Sequence, residues 1–209
     1  MKSPPFFDDV PVLRVRDPLA DLLGAAEEGG IEYRYRDAVR LAGHSCPTVA
    51  GAYRLTALAL QALYPHELPQ RGGVEASFRD GQADGTTGVV ASVVSLLTGA
   101  AGEGGFQGLA GQFGRRGLLT FSADQPLDLR FRRRDSGRAV DAMADLRRVP
   151  ASPEVMPLLK LCLAGEAGPE ERLRFQALWQ DRVRRILLEH GDDPAVFIIR
   201  HVHPHGEVA

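Results

Sequence analysis

Several features that define common protein classes are scarce in this sequence of 209 residues. It has only two cysteines, Cys46 and Cys162, which are too few for a disulfide framework. No apolar run approaches the roughly 20 residues of a membrane-spanning helix, and the start at Met1 has no basic region followed by an apolar core. These absences argue against a disulfide-rich secreted protein and predict a cytoplasmic location.

Basic and acidic residues are also nearly balanced in number. The chain has 25 lysines and arginines against 27 aspartates and glutamates, which gives a formal net charge of -2 at pH 7. The most basic run, Arg130 to Arg134, continues a strand pattern in which alternate residues are apolar. Its arginines are therefore interpreted as the solvent face of a strand. The charge distribution predicts no nucleic-acid partner and no membrane partner.

What the sequence does contain is a succession of strand and helix patterns that predicts an α+β fold. The apolar segments after Pro47 and Thr86 predict buried helices, and a shorter helix is predicted over Arg138 to Arg148. The predicted sheet is mixed or antiparallel, with strands near Ile31, Val74, Leu118, Leu127 and Ala195. A helical segment from Ser152 to His190 closes the fold. Because charged residues are so rare in the two buried helices, these helices also predict a homodimer.

The most distinctive chemistry lies at His44-Ser45-Cys46-Pro47, where a histidine and a cysteine stand two residues apart. Proline suits the first turn of a helix, so Cys46 falls at or next to the N-cap of the helix that follows. The N–H groups at a helix N-terminus favour an anion, which predicts that Cys46 ionises readily and ligates a metal as thiolate. The alternative interpretation is a buried cysteine and a hydrogen-bonded histidine that bind nothing.

Gly43-His44-Ser45-Cys46-Pro47, followed by Tyr53-Arg54 within the helix, resembles the HxCP segment of the FmdE-like family, whose members are related to a component of formylmethanofuran dehydrogenase. A second likeness is the later helix that ends in Thr98-Gly99 and leads into a glycine-rich turn. The resemblance covers roughly Ile31 to Phe121. It implies a metal-binding fold in which His44 and Cys46 are ligands and Arg54 contacts a cofactor.

The sequence departs from that family where the family carries further cysteines. The family's cysteine after Thr-Gly is Ala100 here, and its cysteine and aspartate on the preceding helix are matched by Val89 and Ser92. Asp80 and Asp84, in the loop before that helix, are candidate replacement ligands, and Asp84 is the candidate catalytic base for a metal-bound water. Their alternative role is to form the turn and cap the helix.

Glycines are concentrated between Gly99 and Gly108, where Gly102-x-Gly104 invites comparison with a dinucleotide-binding fingerprint. That fingerprint should follow a strand and open a helix, whereas here a helix pattern precedes the glycines and a strand pattern follows them. The segment is therefore interpreted as a flexible loop beside a ligand pocket. Gly102 and Gly104 are its candidate cofactor-binding positions.

Three alternate histidines, His201, His203 and His205, follow a short apolar strand pattern near the C-terminus. In an extended segment they share one face, and imidazole is a preferred ligand of zinc, nickel and copper. They are candidates to complete a metal site with His44 and Cys46. The alternative is an incidental, solvent-exposed tail.

These patterns predict one metal-binding domain over residues 12–135, with a helical segment and a final strand over residues 136–209 packed on the same core. The predicted function is binding of a transition metal, zinc before nickel or copper, by an enzyme or accessory subunit that acts on a small molecule. One alternative is a metal-free module that holds a small anion or cofactor, and another is a structural assembly protein.

Overall fold

The computed structural model describes residues 3–202, which form an α+β fold with two sheets. The strands are, in chain order, β1 (Leu13–Arg16), β2 (Gly30–Tyr33), β3 (Val74–Phe78), β4 (Leu119–Thr120), β5 (Leu129–Arg133), β6 (Ala139–Ala144) and β7 (Phe197–Val202). Strands β1 and β2 form an antiparallel pair. The second sheet has the order β4-β3-β5-β6-β7, in which only β3 and β4 are parallel.

The helices are α1 (Pro18–Leu22), α2 (Tyr35–Ala42), α3 (Pro47–Leu63), α4 (Thr87–Thr98), α5 (Val155–Ala164) and α6 (Pro169–Arg184), the last continuing into a π-helical turn over Arg185–Glu189. Helix α3 is the centre of the core, since it packs against α2 and α4 and lies on strands β5, β6 and β7. Its predicted start is confirmed: Cys46 is the N-cap residue and Pro47 opens the first turn. Helix α4 also begins close to its predicted position.

The five-stranded sheet buries one face and leaves charged residues on the other. Ala76, Phe131 and Val140 are paired across β3, β5 and β6 and are fully or almost fully buried. On the opposite face Arg132 of β5 forms an ion pair with Glu75 of β3 at 2.7 Å. The basic run therefore does contribute to a solvent face, as its alternation predicted. Arg133 is the exception, because it turns inward and is 7% exposed.

Two predicted elements differ from the structure. The helix predicted over Arg138 to Arg148 is wrong, because residues 139–144 form strand β6, paired on both sides by β5 and β7. Alanine and methionine favour helix locally, and pairing with two neighbouring strands overrides that preference. The strand predicted near Ile31 exists as β2, but it pairs with β1 instead of joining the larger sheet.

None of the helices within residues 3–202 is both long and apolar enough to cross a membrane. The cytoplasmic location stays a prediction from the sequence.

Candidate functional site

The turn between α2 and α3 presents His44 to solvent in a fixed orientation. Helix α2 ends at Gly43, which takes the left-handed conformation with a φ of 76° and donates its N–H to the carbonyl of Val39. The next residue, His44, is exposed, and its Nδ1 lies 2.9 Å from the carbonyl oxygen of Ala42. Because a carbonyl only accepts, Nδ1 carries a proton, and in the neutral imidazole Nε2 is then an acceptor.

Ser45 fastens this turn to α6, which follows more than a hundred residues later. The Ser45 hydroxyl donates to Oε1 of Gln180 at 3.0 Å and accepts from the Tyr35 hydroxyl at 2.9 Å. The Ser45 carbonyl accepts from Nε1 of Trp179 at 3.0 Å and from Nε2 of Gln180 at 3.2 Å. Tyr35 is fully buried, and burial raises the pKa of its hydroxyl, so it remains a neutral donor. We call these four residues the Ser45 clasp.

A cleft with a volume of about 570 Å³ opens between this turn and α6. Its wall is largely apolar and includes three aromatic rings. The lining residues are Ser3, Pro4, Phe7, Val39, Gly43, His44, Ser45, Leu173, Phe175, Gln176, Ala177, Trp179 and Gln180. The volume lies within the roughly 300–1,000 Å³ that is typical of small-molecule sites. Within the described part of the chain, no aspartate, glutamate, lysine or arginine belongs to this lining.

The polar groups of the cleft divide into two sets. Those of Ser45, Trp179 and Gln180 are engaged with one another in the Ser45 clasp. Nε2 of His44, the side-chain amide of Gln176 and the hydroxyl of Ser3 take part in none of those bonds. All three residues line the cleft, and His44 and Gln176 are exposed. The arrangement supplies an apolar wall with a few polar groups outside the Ser45 clasp.

Cys46 is directed into the first turn of α3 and is not part of the cleft lining. It is 9% exposed, and its Sγ accepts the N–H of Val49 at 3.5 Å, so that the thiol acts as the helix cap. This places the two residues of the His-x-Cys pair in different surroundings. His44 faces solvent, whereas the Cys46 sulfur is buried.

Arg54, the candidate cofactor contact, lies at another part of α3 and is 6% exposed. Its Nε donates to the carbonyl of Gly191 at 2.8 Å, and its NH2 group pairs with the carboxylate of Asp192. The guanidinium therefore anchors the turn that follows the π-helical end of α6. Neither the Arg54 side chain nor its partners line the cleft beside His44.

Asp84, the candidate catalytic base, forms a turn, which was the alternative role predicted for it. Its Oδ2 accepts the N–H of Gly81 at 2.9 Å, and its carbonyl accepts the N–H of Thr87 at the start of α4. It lines a separate pocket of about 230 Å³ together with Asp80 and Asp128. Burial raises the pKa of Asp128, although the nearby Arg79 opposes that shift. The structure does not bring Asp84 to the His44 turn.

Gly102 and Gly104 lie in the loop between α4 and β4. The carbonyl of Gly102 accepts the N–H groups of Gly105 at 3.0 Å and of Gly117 at 3.2 Å, which closes the base of this loop. The loop leads into a strand, so its N–H groups do not converge at a helix N-terminus as they do in a phosphate-binding turn.

The C-terminal histidines are described only in part. His201 lies on β7 opposite Val140 and is exposed, while His203 and His205 fall outside the described residues. Within residues 3–202, no three side chains of His, Cys, Asp or Glu are grouped so that they could hold a metal ion. Structural zinc sites use four protein ligands and catalytic sites three, so the described residues alone do not fit a zinc site.

The wall formed by α6 was not predicted as part of a site. Phe175 and Trp179 are one helical turn apart, as are Gln176 and Gln180, and this double i, i+4 pattern was the available signal. The indole of Trp179 lines the cleft and donates its Nε1–H to the Ser45 carbonyl.

The chain matches no protein-family model and no curated protein. The resemblance to the FmdE-like family therefore stays a prediction from the motifs. The protein therefore has an α+β fold with a largely apolar candidate site beside the His44 turn. The described lining of that site has no acidic residue, lysine or arginine.

Proposed function

We propose that this protein binds a small organic molecule in the cleft between the His44 turn and α6. The observation that carries the proposal is a concave, mostly apolar site in which three polar side chains of the described lining, those of His44, Gln176 and Ser3, lie outside the Ser45 clasp. Such a site orients a ligand by a few hydrogen bonds and gains affinity from apolar contact.

The Ser45 clasp makes the cleft a preformed site. It joins the α2–α3 turn to α6 through three hydrogen bonds of 3.0 to 3.2 Å, and a fourth, of 2.9 Å, ties Ser45 to Tyr35 of α2. Because the walls are already fixed to one another, a ligand does not have to order them when it binds. No reacting group is assigned, since the proposal concerns binding alone.

An occluding substitution tests this proposal. Ala177 lines the cleft, so Ala177→Phe should fill part of it, whereas Ala164→Phe places the same ring at an exposed end of α5 outside the lining. Each variant would be screened against a library of small organic fragments by the rise in thermal midpoint. Fragments that stabilise the wild type and Ala164→Phe but not Ala177→Phe support the cleft. Equal responses from all three proteins would refute it.

We also propose, as a second candidate, that His44 and Cys46 contribute to a transition-metal site, with zinc preferred over nickel or copper. The observation that favours it is the bond from Nδ1 of His44 to the Ala42 carbonyl, because metal-binding histidines commonly fix their second nitrogen in this way. Elemental analysis of chelator-free protein is the test. About one metal per chain, lost in both His44→Ala and Cys46→Ser, supports the site, and a metal-free wild type that takes up none on titration opposes it.

A homodimer is the third part of the proposal, and the apolar residues of α5 support it. Met156 is 57% exposed and Leu163 is 80% exposed, although both belong to a helix of mainly apolar residues. Sedimentation equilibrium should show a dimer that Leu163→Glu weakens. Leu22→Glu is the matched control, because Leu22 is similarly exposed, at 61%, on α1. A monomeric wild type at tens of micromolar protein contradicts this part.

A further inference from the structure

We infer that the ligand of the cleft is an uncharged aromatic molecule with a hydrogen-bonding group at one end. This inference rests on the proposed small-molecule site and adds the chemical class of its occupant. Three properties of the cleft support it: the absence of acidic residues, lysines and arginines from the lining that the structure describes, the aromatic wall on α6, and the placement of the polar groups of His44 and Gln176.

The first property is electrostatic. Among residues 3–202, the cleft lining contains no acidic residue, lysine or arginine, and His44 is its only titratable side chain. The charged residues that precede and follow this part of α6 already have partners, since Arg174 pairs with Glu154 at 2.7 Å and Asp181 pairs with Arg185 at 3.0 Å. A carboxylate or ammonium group entering the cleft would lose hydration without meeting an acidic residue, lysine or arginine of the described lining. The site therefore disfavours charged ligands.

The second property is the aromatic wall. The rings of Phe175 and Trp179 have centroids 5.5 Å apart and are tilted by 46° to one another. Phe7 is buried and lines the same cleft. Aromatic rings gain from offset or edge-to-face contact with another ring beyond the simple loss of exposed area. A flat aromatic ligand should therefore bind better than a saturated ligand of the same size.

The third property is the polar pair on His44 and Gln176. With Nδ1 donating to the Ala42 carbonyl, Nε2 of the neutral His44 ring is an acceptor, and the Gln176 amide can donate or accept. Both residues are exposed and line the cleft, whereas the polar atoms of the clasp are already bonded. A hydroxyl or N–H group on the ligand can therefore donate to His44.

A titration with three matched probes tests the inference on the full chain. The probes are 2-naphthol, which is neutral and aromatic, decahydro-2-naphthol, which is neutral and saturated, and 2-naphthoate, which is anionic and aromatic. Trp179 is the only tryptophan, so a ¹⁵N-labelled sample gives one indole N–H signal, and that signal arises from the cleft wall. Its chemical shift reports occupancy directly, with Ala164→Phe as a positive control and Ala177→Phe as the occluded variant.

The expected result is that 2-naphthol binds at least about tenfold more tightly than either other probe, and that Ala177→Phe weakens its binding by a similar factor. If 2-naphthoate or decahydro-2-naphthol binds as tightly as 2-naphthol, the cleft is a ligand site but the inferred class is wrong. If none of the probes moves the indole signal at millimolar concentration, the inferred class is also wrong, and the fragment screen then decides separately whether the cleft binds anything.

Discussion

Helices α3 and α5 are both rich in apolar residues, yet one is buried and the other is exposed. In α3, 12 of 17 residues are buried, whereas α5 buries only Val155 among its 10 residues. Helix α3 has neighbours on several sides, including α2, α4 and three strands of the sheet, while α5 packs mainly against α6. The number of neighbouring elements, more than the apolar composition, therefore decides how much of each helix is buried. An additional partner is expected at α5, the apolar helix that packs mainly against one neighbour.

The largest effect is expected from Tyr53→Ala in α3. Tyr53 is fully buried, its ring packs edge-on against Tyr35, and its hydroxyl lies 2.9 Å from the carbonyl oxygens of both Pro11 and Tyr33. Removing the ring leaves a cavity and two carbonyls without that donor. The free energy of unfolding should fall by about 4 kcal/mol, measured by urea denaturation. Tyr53→Phe is the control, and a loss below about 1 kcal/mol in Tyr53→Ala would show that α3 is not the centre of the core.

The next effect concerns a buried ionic cluster at the end of α4, the helix beside α3. Asp17 is 4% exposed and binds Arg71 at 3.0 Å and Arg115 at 2.7 Å, while Arg71 also donates to the carbonyl of Leu96. Asp17→Asn leaves two partly or fully buried guanidinium groups without their carboxylate. The free energy of unfolding at pH 7 should fall by about 3 kcal/mol. Asp21→Asn, which breaks an exposed pair with Arg16, should cost less than about 1 kcal/mol.

The same cluster predicts a pH dependence with a definite sign. Burial alone would raise the pKa of Asp17, but the hydrogen bond from Arg71 and the charge of Arg115 outweigh it and lower the pKa. A carboxyl with a lowered folded-state pKa stabilises the fold above its unfolded pKa of about 4 and loses that contribution as the pH falls through the folded value. Wild-type stability should therefore decline below about pH 4. A decline just as steep in Asp17→Asn would assign it to other carboxyl groups, such as Asp135, whose pairing with Arg133 lowers its pKa to about 2.

The sequence anticipated elements whose signals are local better than elements that depend on distant parts of the chain. Pro47 and the uncharged segment after Thr86 marked the starts of α3 and α4 because capping and apolar composition act locally. Helix α2 was not predicted, because Tyr33 and Tyr35 continue the alternation of β2 although Tyr35 already opens the helix. Strand β6 was missed because its register depends on two strands that come from distant parts of the chain.

The candidate site divides in the same way. The motif that contains His44 located one wall of the cleft, since His44 and Ser45 lie in the same short turn and both line it. The opposite wall comes from Trp179 and its neighbours on α6, and nothing local in the sequence states that this helix returns to the Ser45 carbonyl. Hydrogen bonds between residues more than 130 positions apart are set by the fold. The local sequence pattern therefore indicated only one wall of the cleft.

A smaller effect is expected at the Ser45 clasp, which joins the turn before α3 to α6, the helix on which α5 packs. Ser45→Ala removes the hydroxyl that bonds both Tyr35 and Gln180, while the backbone carbonyl still accepts from Trp179. We expect a loss of about 1–2 kcal/mol in the free energy of unfolding. The Trp179 indole N–H signal should also shift, since its acceptor is no longer held in place. Ser92→Ala, at an exposed serine of α4 that bonds only its own helix, should change neither quantity appreciably.

The smallest effect on stability is expected at Leu163 of α5. This side chain is 80% exposed, so Leu163→Ala removes few contacts within one chain and should change the free energy of unfolding by less than about 0.5 kcal/mol. The measurement belongs at low protein concentration, because any dimer formed through α5 would add a concentration-dependent contribution. A loss of about 2 kcal/mol in the dilute monomer would mean that α5 is packed more like α3 than its exposure indicates. A loss that grows with protein concentration would instead place the missing partner of α5 on a second copy of the chain.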